Sequence, residues 1–142
     1  MSDRIRYTVE KLFNNLFYQM PKFLFEEEFS ELSNDARILY MLLKDRHELS
    51  VKNKWYNKRG EIYLIMTREE METMLNLSPP TVRKLVEELK KLNLIEEERQ
   101  GGNKPNLLYL TVKSAKNLHQ SILILKIRIR LIVVTNQCQR QT

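Results

Sequence analysis

Residues 67–92, TREEMETMLNLSPPTVRKLVEELKKL, contain the two clearest helix patterns of this 142-residue chain. Thr67 is followed three residues later by Glu70, which is the capping-box pattern that begins a helix. The apolar residues of this helix recur at helical spacing: Met71, Met74 and Leu75. The stretch therefore predicts a helix that begins after Thr67.

A second helix follows after the short connection Asn76-Leu77. Ser78 is a favourable helix cap, and Pro79 suits the first helical position because its missing N–H costs nothing there. The apolar residues recur every three or four positions, as on one face of a helix: Val82, Leu85, Val86, Leu89 and Leu92. The pattern predicts an amphipathic helix from Ser78 to about Asn93.

Strands and a polar turn are predicted after this helix. Residues 94–99 and 107–112 have strand character, and residues 100–106, QGGNKPN, form the turn between them. Two helices at a steep angle followed by a hairpin are the order of a winged helix-turn-helix. The expected fold class is α+β, mostly helical, with a two-stranded wing hairpin.

The segment before residue 67 completes this order. Ser33 is a helix cap, and the spacing of apolar residues predicts a helix over about 34–46. Residues 47–61 are polar and basic and are expected to form a loop, and residues 61–66, EIYLIM, a short strand. The winged-helix domain is placed at 33–113.

The helix that begins at Ser78 carries the chemistry of a DNA reader. A projecting helix fits the major groove, and Arg83 has the geometry to donate to the O6 and N7 atoms of one guanine. Thr81, Arg83 and Lys84 lie in the first turns, where a recognition helix meets base edges, and Lys84 is expected at phosphate or guanine. Ser78 and the helix N-terminus at Pro79 suit a phosphate, because free N–H groups point outward at a helix start. Each charge on such a face has the alternative of simple solvation.

Other basic positions are weaker candidates. Asn103 and Lys104 at the tip of the hairpin are expected to lie along the DNA backbone or in the minor groove, the alternative being an ordinary hairpin turn with exposed polar residues. The possible backbone contacts are Lys54, Arg59, Lys90 and Arg99. For Lys54 and Arg59 the sequence leaves DNA contact and a solvated loop equally open, whereas for Lys90 a solvated face is favoured. Glu87 and Glu88 would repel DNA and confine contact to the first half of the helix.

Residues 1–32 form an aromatic arm. Leu12, Leu16 and several aromatic residues indicate a short helical stripe that Pro21 interrupts, and an extended or turn-like segment follows. So much apolar surface requires burial, either on the chain's own core or in a dimer interface, and the second is favoured. The expected dimerisation residues are Phe13, Phe17, Tyr18, Phe23 and Phe25.

Composition limits the remaining function classes. Residues 1–98 hold 16 Lys+Arg and 18 Asp+Glu, whereas residues 99–142 hold 8 Lys+Arg and no acid. The basic tail 114–142 is interpreted as a non-native extension or a disordered segment, the alternative being an ordered strand that pairs at a sheet edge or with another copy. Its apolar run is too short and too charged to span a membrane. Two histidines and one cysteine, without a secretory signal, favour a cytoplasmic protein with no catalytic residues, metal or cofactor.

The segments YTVEKLFNNLFYQMPKFLF, LSNDARILYMLLKDRHELS and YLIMTREEMETMLNLSPPTVRKLVEEL make a more specific resemblance. Over about 7–112 the chain resembles the N-terminal domain of RepA_N-type plasmid replication initiators of low-GC Gram-positive, staphylococcal-like bacteria. The resemblance implies a homodimer that binds direct repeats, or iterons, in double-stranded DNA at the plasmid origin. A separate C-terminal domain, not present here, would recruit host replication factors. The matching positions are Ser78, Thr81, Arg83, Lys84, Asn103 and Lys104.

Two other functions stay open on the sequence alone. A winged-helix transcriptional regulator would bind a promoter operator with the same residues. A winged-helix protein-interaction module would bind no DNA, although the basic face of the helix argues against it.

Overall fold

The computed structural model describes residues 3–13, 16–111 and 130. The helices are α1 (Val9–Phe13), α2 (Asn34–Lys52), α3 (Arg68–Leu75) and α4 (Pro79–Lys91), and two short 3-10 helices, Lys22–Phe25 and Glu27–Phe29, precede α2. The strands are β1 (Ile95–Glu98) and β2 (Leu107–Leu110). The predictions for the tail 114–142 lie outside the described residues, apart from position 130. No helix in the described part of the chain is long and apolar enough to cross a membrane.

The helix-turn-helix forms where the sequence predicts it. The Thr67 side chain accepts a hydrogen bond from Glu70 N at 3.1 Å, and Glu70 Oε2 accepts one from Thr67 N at 2.8 Å. Asn76 ends α3 in the left-handed conformation, which short polar side chains tolerate. Ser78 is the N-cap of α4, so the predicted start of that helix is confirmed.

The wing, residues 99–106, joins two antiparallel strands. Ile95 pairs with Leu110 and Glu98 with Leu107, so each strand is shorter than predicted. Gly101 and Gly102 both have a positive φ, which residues with a side chain rarely adopt. The turn is therefore built on the two glycines that the sequence places there.

The predicted strand over residues 61–66 is wrong as a continuous strand. Leu64 forms an isolated antiparallel bridge to Leu108, with N–O distances of 2.8 and 2.9 Å. Ile62 instead bridges Tyr56 within its own hairpin. Because this backbone is divided between two partners, a single bridge takes the place of a third strand.

Helix α2 is longer than predicted and continues from Asn34 to Lys52. The polar sequence after Arg46 suggested a loop, but it contains no glycine or proline before Gly60 to end the helix. Ser50 is fully buried, and its hydroxyl donates to Arg46 O at 3.1 Å. A helical backbone carbonyl satisfies this buried hydroxyl, which explains how a polar residue is accommodated there.

One hydrophobic core joins the helices, the sheet and the end of the arm. The buried residues of the arm are Leu24, Phe29 and Leu32, and those of the later elements include Leu39, Leu43, Leu64, Met71, Val82, Leu89, Ile95 and Leu108. Met74, expected on the buried side of α3, is instead 44% exposed. The segment 22–32, predicted to be extended or turn-like, forms the two 3-10 helices and contributes to the core.

Arg37 fastens this segment to α2. Its guanidinium donates to Leu24 O at 2.8 Å and to Phe29 O at 3.0 Å, and it lies 5.0 Å from the centroid of the Phe25 ring. Leu24 O has no described backbone donor, so the guanidinium supplies its partner, whereas Phe29 O also accepts from Leu32 N at 3.1 Å. Arg37 thereby connects residues 24–29 of the arm to α2.

Candidate nucleic-acid interface

The two faces of helix α4 lie in different environments. Val82, Leu85, Val86 and Leu89 are buried in the core, whereas Arg83 and Lys84 are exposed. Within the part of the chain that the structure describes, neither Arg83 nor Lys84 has an ion-pair partner. The first half of α4 therefore presents two cations to solvent, on the turns that were predicted to meet base edges.

The N-terminus of α4 has fewer backbone donors than the sequence interpretation assumed. Pro79 and Pro80 occupy its first two positions, and proline has no N–H. Of the four N–H groups that a helix start leaves unpaired, only those of Ser78 and Thr81 are present. The Ser78 and Thr81 hydroxyls lie 2.8 Å apart and hydrogen-bond each other. The donors available to an anion at this helix start are therefore two backbone N–H groups, the two hydroxyls, and the side chains of Arg83 and Lys84.

The tip of the wing is polar and open to solvent. Residues 99–105 are exposed, including Arg99, Asn103 and Lys104. Gln100 Nε2 donates to Pro105 O at 3.1 Å and closes the turn across its base. The wing thus presents two cations and an amide on a compact turn, as its predicted contact with DNA requires.

Lys90 is engaged inside the domain. Its Nζ atom lies 3.4 Å from Glu87 Oε1 and 3.5 Å from Glu97 Oε2, and its side chain is 37% exposed. A lysine between two carboxylates has less charge to offer a phosphate than an unpaired one. Its predicted backbone contact stays a prediction, and it would have to compete with these ion pairs.

Glu97 on β1 receives contacts from three parts of the domain. Arg68 Nη2 lies 2.6 Å and Asn106 Nδ2 3.1 Å from Oε1, and Lys90 approaches Oε2. Burial alone would raise the pKa of Glu97, but the hydrogen bond from Asn106 and the charge of Arg68 outweigh it, so the pKa lies below its usual value. Glu97 is therefore held as a carboxylate at neutral pH.

Glu88 also has a structural role that the sequence interpretation did not include. Its Oε2 atom accepts hydrogen bonds from Ser33 N at 3.1 Å and from Ser33 Oγ at 2.8 Å. A carboxylate at the N-terminus of α2 is favoured by the partial positive charge of that helix end. Glu88 thus links α4 to the start of α2, and its charge is partly compensated there.

Lys54 and Arg59 belong to a structured hairpin, residues 54–63, which we call the aromatic hairpin. Trp55 and Tyr63 stack at 6.3 Å, and Tyr63 meets Tyr109 edge-on at 6.1 Å. Because Leu64 pairs antiparallel with Leu108, the residues before Leu64 extend past the end of β2 that lies away from the wing. The exposed Lys54 and Arg59 are thus associated with the opposite end of the sheet from Lys104.

The predicted dimerisation residues fall into different environments. Phe17, Tyr18 and Phe25 are 67%, 52% and 63% exposed, whereas Phe23 packs on the domain's own core with its ring 5.7 Å from those of Phe29 and Tyr40. The Phe13 side chain lies outside the described part of the structure. Part of the aromatic surface is thus covered within the chain, and the exposed remainder lies in residues 5–18 and at Phe25.

Sequence reasoning did not identify Arg37, Glu88 or Glu97 as organising residues. Ser33 and Glu88 are 55 positions apart, and Arg68 and Glu97 are 29 apart. Periodicity and capping patterns extend over a few residues, so they carry no information on such pairs. Within the described residues, no group of three or more His, Cys, Asp or Glu side chains could hold a metal ion.

Comparison with known proteins identifies a relative of this chain. A "41 kDa protein" of Lactobacillus helveticus is 31% identical over 112 residues, which are 74% of this chain and 32% of that protein. The chain thus spans about a third of the length of this relative.

Solved structures of related proteins share the fold. One described as "N-Terminal domain of DNA binding protein" has a TM-score of 0.65 at 33% identity, covering 83% of this chain and 92% of that one. "Structure of Rep-DNA complex" gives 0.64 at 34% identity, with 82% and 92% covered. "Structure of MDR initiator" gives 0.61 at 34% identity, with 84% and 98% covered. These similarities agree with a winged helix over the described domain.

One protein family matches most of the chain. The sequence pattern of the family described as "Replication initiator protein A (RepA) N-terminus" matches residues 16–123. This range contains α2, α3, α4 and the wing, so it includes every element of the candidate interface. The chain belongs to the replication initiator protein A N-terminal family.

Proposed function

We propose that this domain binds double-stranded DNA sequence-specifically, at repeated sites in a plasmid replication origin. The observation that carries the proposal is the exposed pair Arg83 and Lys84, unpaired with acid in the described structure, on the first half of α4. A structural relative at 34% identity is described as a Rep–DNA complex, which supports the same role here. The proposed role is binding without catalysis, in the cytoplasm.

In this proposal α4 enters the major groove and the wing lies along the neighbouring backbone. Arg83 donates to one guanine and specifies sequence, while Lys84 neutralises a phosphate or reads a second guanine. Asn103 and Lys104 on the wing fix the register of the domain on the duplex. Glu88 is bonded to Ser33 and Glu87 faces Lys90, so their charges are partly compensated.

The proposal is tested with duplexes that tile the initiator gene of the source plasmid, compared with scrambled DNA of the same composition. We expect tight, sequence-dependent binding to a repeat in fluorescence anisotropy. The slope of log K on log[salt] should steepen by about 0.9 for each phosphate neutralised. Equal binding to all duplexes that collapses with salt would refute sequence-specific recognition. Binding confined to a promoter operator would identify a transcriptional regulator instead.

The proposed partner besides DNA is a second copy of this chain. The apolar residues of the first half of the arm are largely exposed: Ile5, Tyr7, Val9, Leu12, Leu16, Phe17 and Tyr18. A surface of this kind on a monomer favours burial against another protein surface. In a longer initiator, host replication factors would bind through a separate C-terminal domain.

Dimerisation through the arm predicts a specific loss of assembly. Light scattering should give twice the mass of one chain for the unaltered protein, and one chain's mass when Leu16 and Phe17 are both replaced with serine. Tyr56→Ser is the control, because Tyr56 is 42% exposed but lies outside the arm. A monomer at working concentration, with and without DNA, would refute the dimer.

A further inference from the structure

A single carboxylate connects both helices of the helix-turn-helix with the wing. Glu97 lies on β1, and its three partners come from different elements: Arg68 begins α3, Lys90 is near the end of α4, and Asn106 ends the wing just before β2. The Glu97 side chain is only 11% exposed. Among the described residues, the Glu97 carboxylate is thus the group that joins α3, α4 and the wing.

The hydrogen bonds to Glu97 restrain the positions of the residues that donate them. Hydrogen bonds between a guanidinium and a carboxylate are short and charge-assisted, and the 2.6 Å contact of Arg68 is an example. Asn106 donates to the same oxygen at 3.1 Å, so the end of the wing is directed towards α3. Replacing the carboxylate with a neutral amide would leave one acceptor oxygen where Arg68, Asn106 and Lys90 now use two, would place an NH2 donor against one of these donors, and would remove the charge that both cations face, which is costly.

We propose that Glu97 is a positioning residue that holds the wing in a fixed place relative to helix α4. The inference rests on the proposed function, since the position of the wing matters when wing and helix bind one duplex together. Glu97 touches no DNA in this account and acts through Asn106, Arg68 and Lys90. A shift of about an ångström at the base of the wing would move Asn103 and Lys104 off their phosphates.

The test compares Glu97→Gln with Glu98→Gln. Both changes remove one negative charge from β1, but Glu98 is exposed and has no described ion pair, its side chain interacting instead with the Tyr109 hydroxyl on the neighbouring strand, so it controls for the electrostatic gain in DNA affinity. We expect Glu97→Gln to lower affinity for the specific repeat by at least about threefold relative to Glu98→Gln, as coupled residues commonly do. Equal affinities for the two variants would overturn the proposal.

A double-mutant cycle separates positioning from general damage. When Asn103 and Lys104 are both replaced with alanine, the wing contacts are gone and its position no longer matters. The additional effect of Glu97→Gln should then fall to no measurable change. If the full loss persists in this background, Glu97 does not act through the wing.

A measurement without DNA distinguishes failure of this inference from failure of the proposed function. Amide hydrogen exchange of β1 and β2 should be faster in Glu97→Gln than in the unaltered protein, and unchanged in Glu98→Gln. Asn106→Ala removes only the partner at the wing, and it too should speed the exchange of β1 and β2. It therefore provides the test if Glu97→Gln does not fold. Absence of DNA binding by the unaltered protein would refute the function alone, whereas unaltered exchange in Asn106→Ala would refute the positioning role.

Discussion

Arg83→Ala is expected to weaken binding to the specific repeat by roughly 5-fold to 150-fold, because a bidentate contact to guanine discriminates by about 1–3 kcal/mol. Arg83 is exposed on α4 and has no described carboxylate partner, so its loss should leave the fold intact. Fluorescence anisotropy on the repeat and on scrambled DNA measures the effect. Affinity for scrambled DNA should change much less.

Two further variants distinguish a base contact of Arg83 from general electrostatic attraction to DNA. Lys91→Ala removes a cation from the exposed last position of the same helix and should leave the ratio of specific to scrambled binding unchanged. Lys84→Ala, if Lys84 meets phosphate, should weaken both and reduce the salt slope by about 0.9. Equal losses in Arg83→Ala and Lys91→Ala would mean that α4 is not inserted as proposed.

Leu43→Ala is expected to lower the free energy of unfolding by about 2–5 kcal/mol, the usual cost of a cavity in a packed core. Leu43 lies in α2 with no exposed surface and belongs to the core that also holds Leu89 and Leu108. Domains of this kind have a total stability of about 5–15 kcal/mol, so this change alone could remove a large part of it. Urea denaturation followed by circular dichroism measures the loss.

The matched control is Leu49→Ala, the same substitution further along α2. Leu49 is 39% exposed and lies in the part of α2 that the sequence interpretation had assigned to a loop. It should cost no more than about 1 kcal/mol. Similar losses for the two variants would contradict the position of the core along α2.

The sequence predicted the parts of the fold that depend on neighbouring residues. Thr67 and Glu70 cap α3, Ser78 caps α4, and the glycines at 101 and 102 form the wing turn. Each of these features involves residues within one helical turn or one tight turn, where side chain and backbone interact directly. The family resemblance, carried by three longer segments, is also confirmed.

What escaped prediction depends on contacts distant in sequence or on weak propensity. The continuation of α2 to Lys52 accompanies the burial of Ser50, which composition does not reveal. The division of residues 61–66 between Tyr56 and Leu108 requires knowledge of both partners. For the interface, the exposed positions of Arg83 and Lys84 follow from the helical period, but the capture of Lys90 by Glu97 requires β1 to be placed beside α4.

The consecutive prolines that begin α4 have a consequence for the thermodynamics of recognition. Pro79 and Pro80 restrict the backbone at the point that meets DNA in the proposed complex, so few conformations are lost when a duplex binds. Such preorganisation reduces the entropic cost of association at the expense of two hydrogen-bond donors. Their exposed rings also offer an apolar surface of the kind that contacts thymine methyl groups. In the proposed complex, α4 would therefore present to DNA a first turn whose backbone conformation is already set before binding.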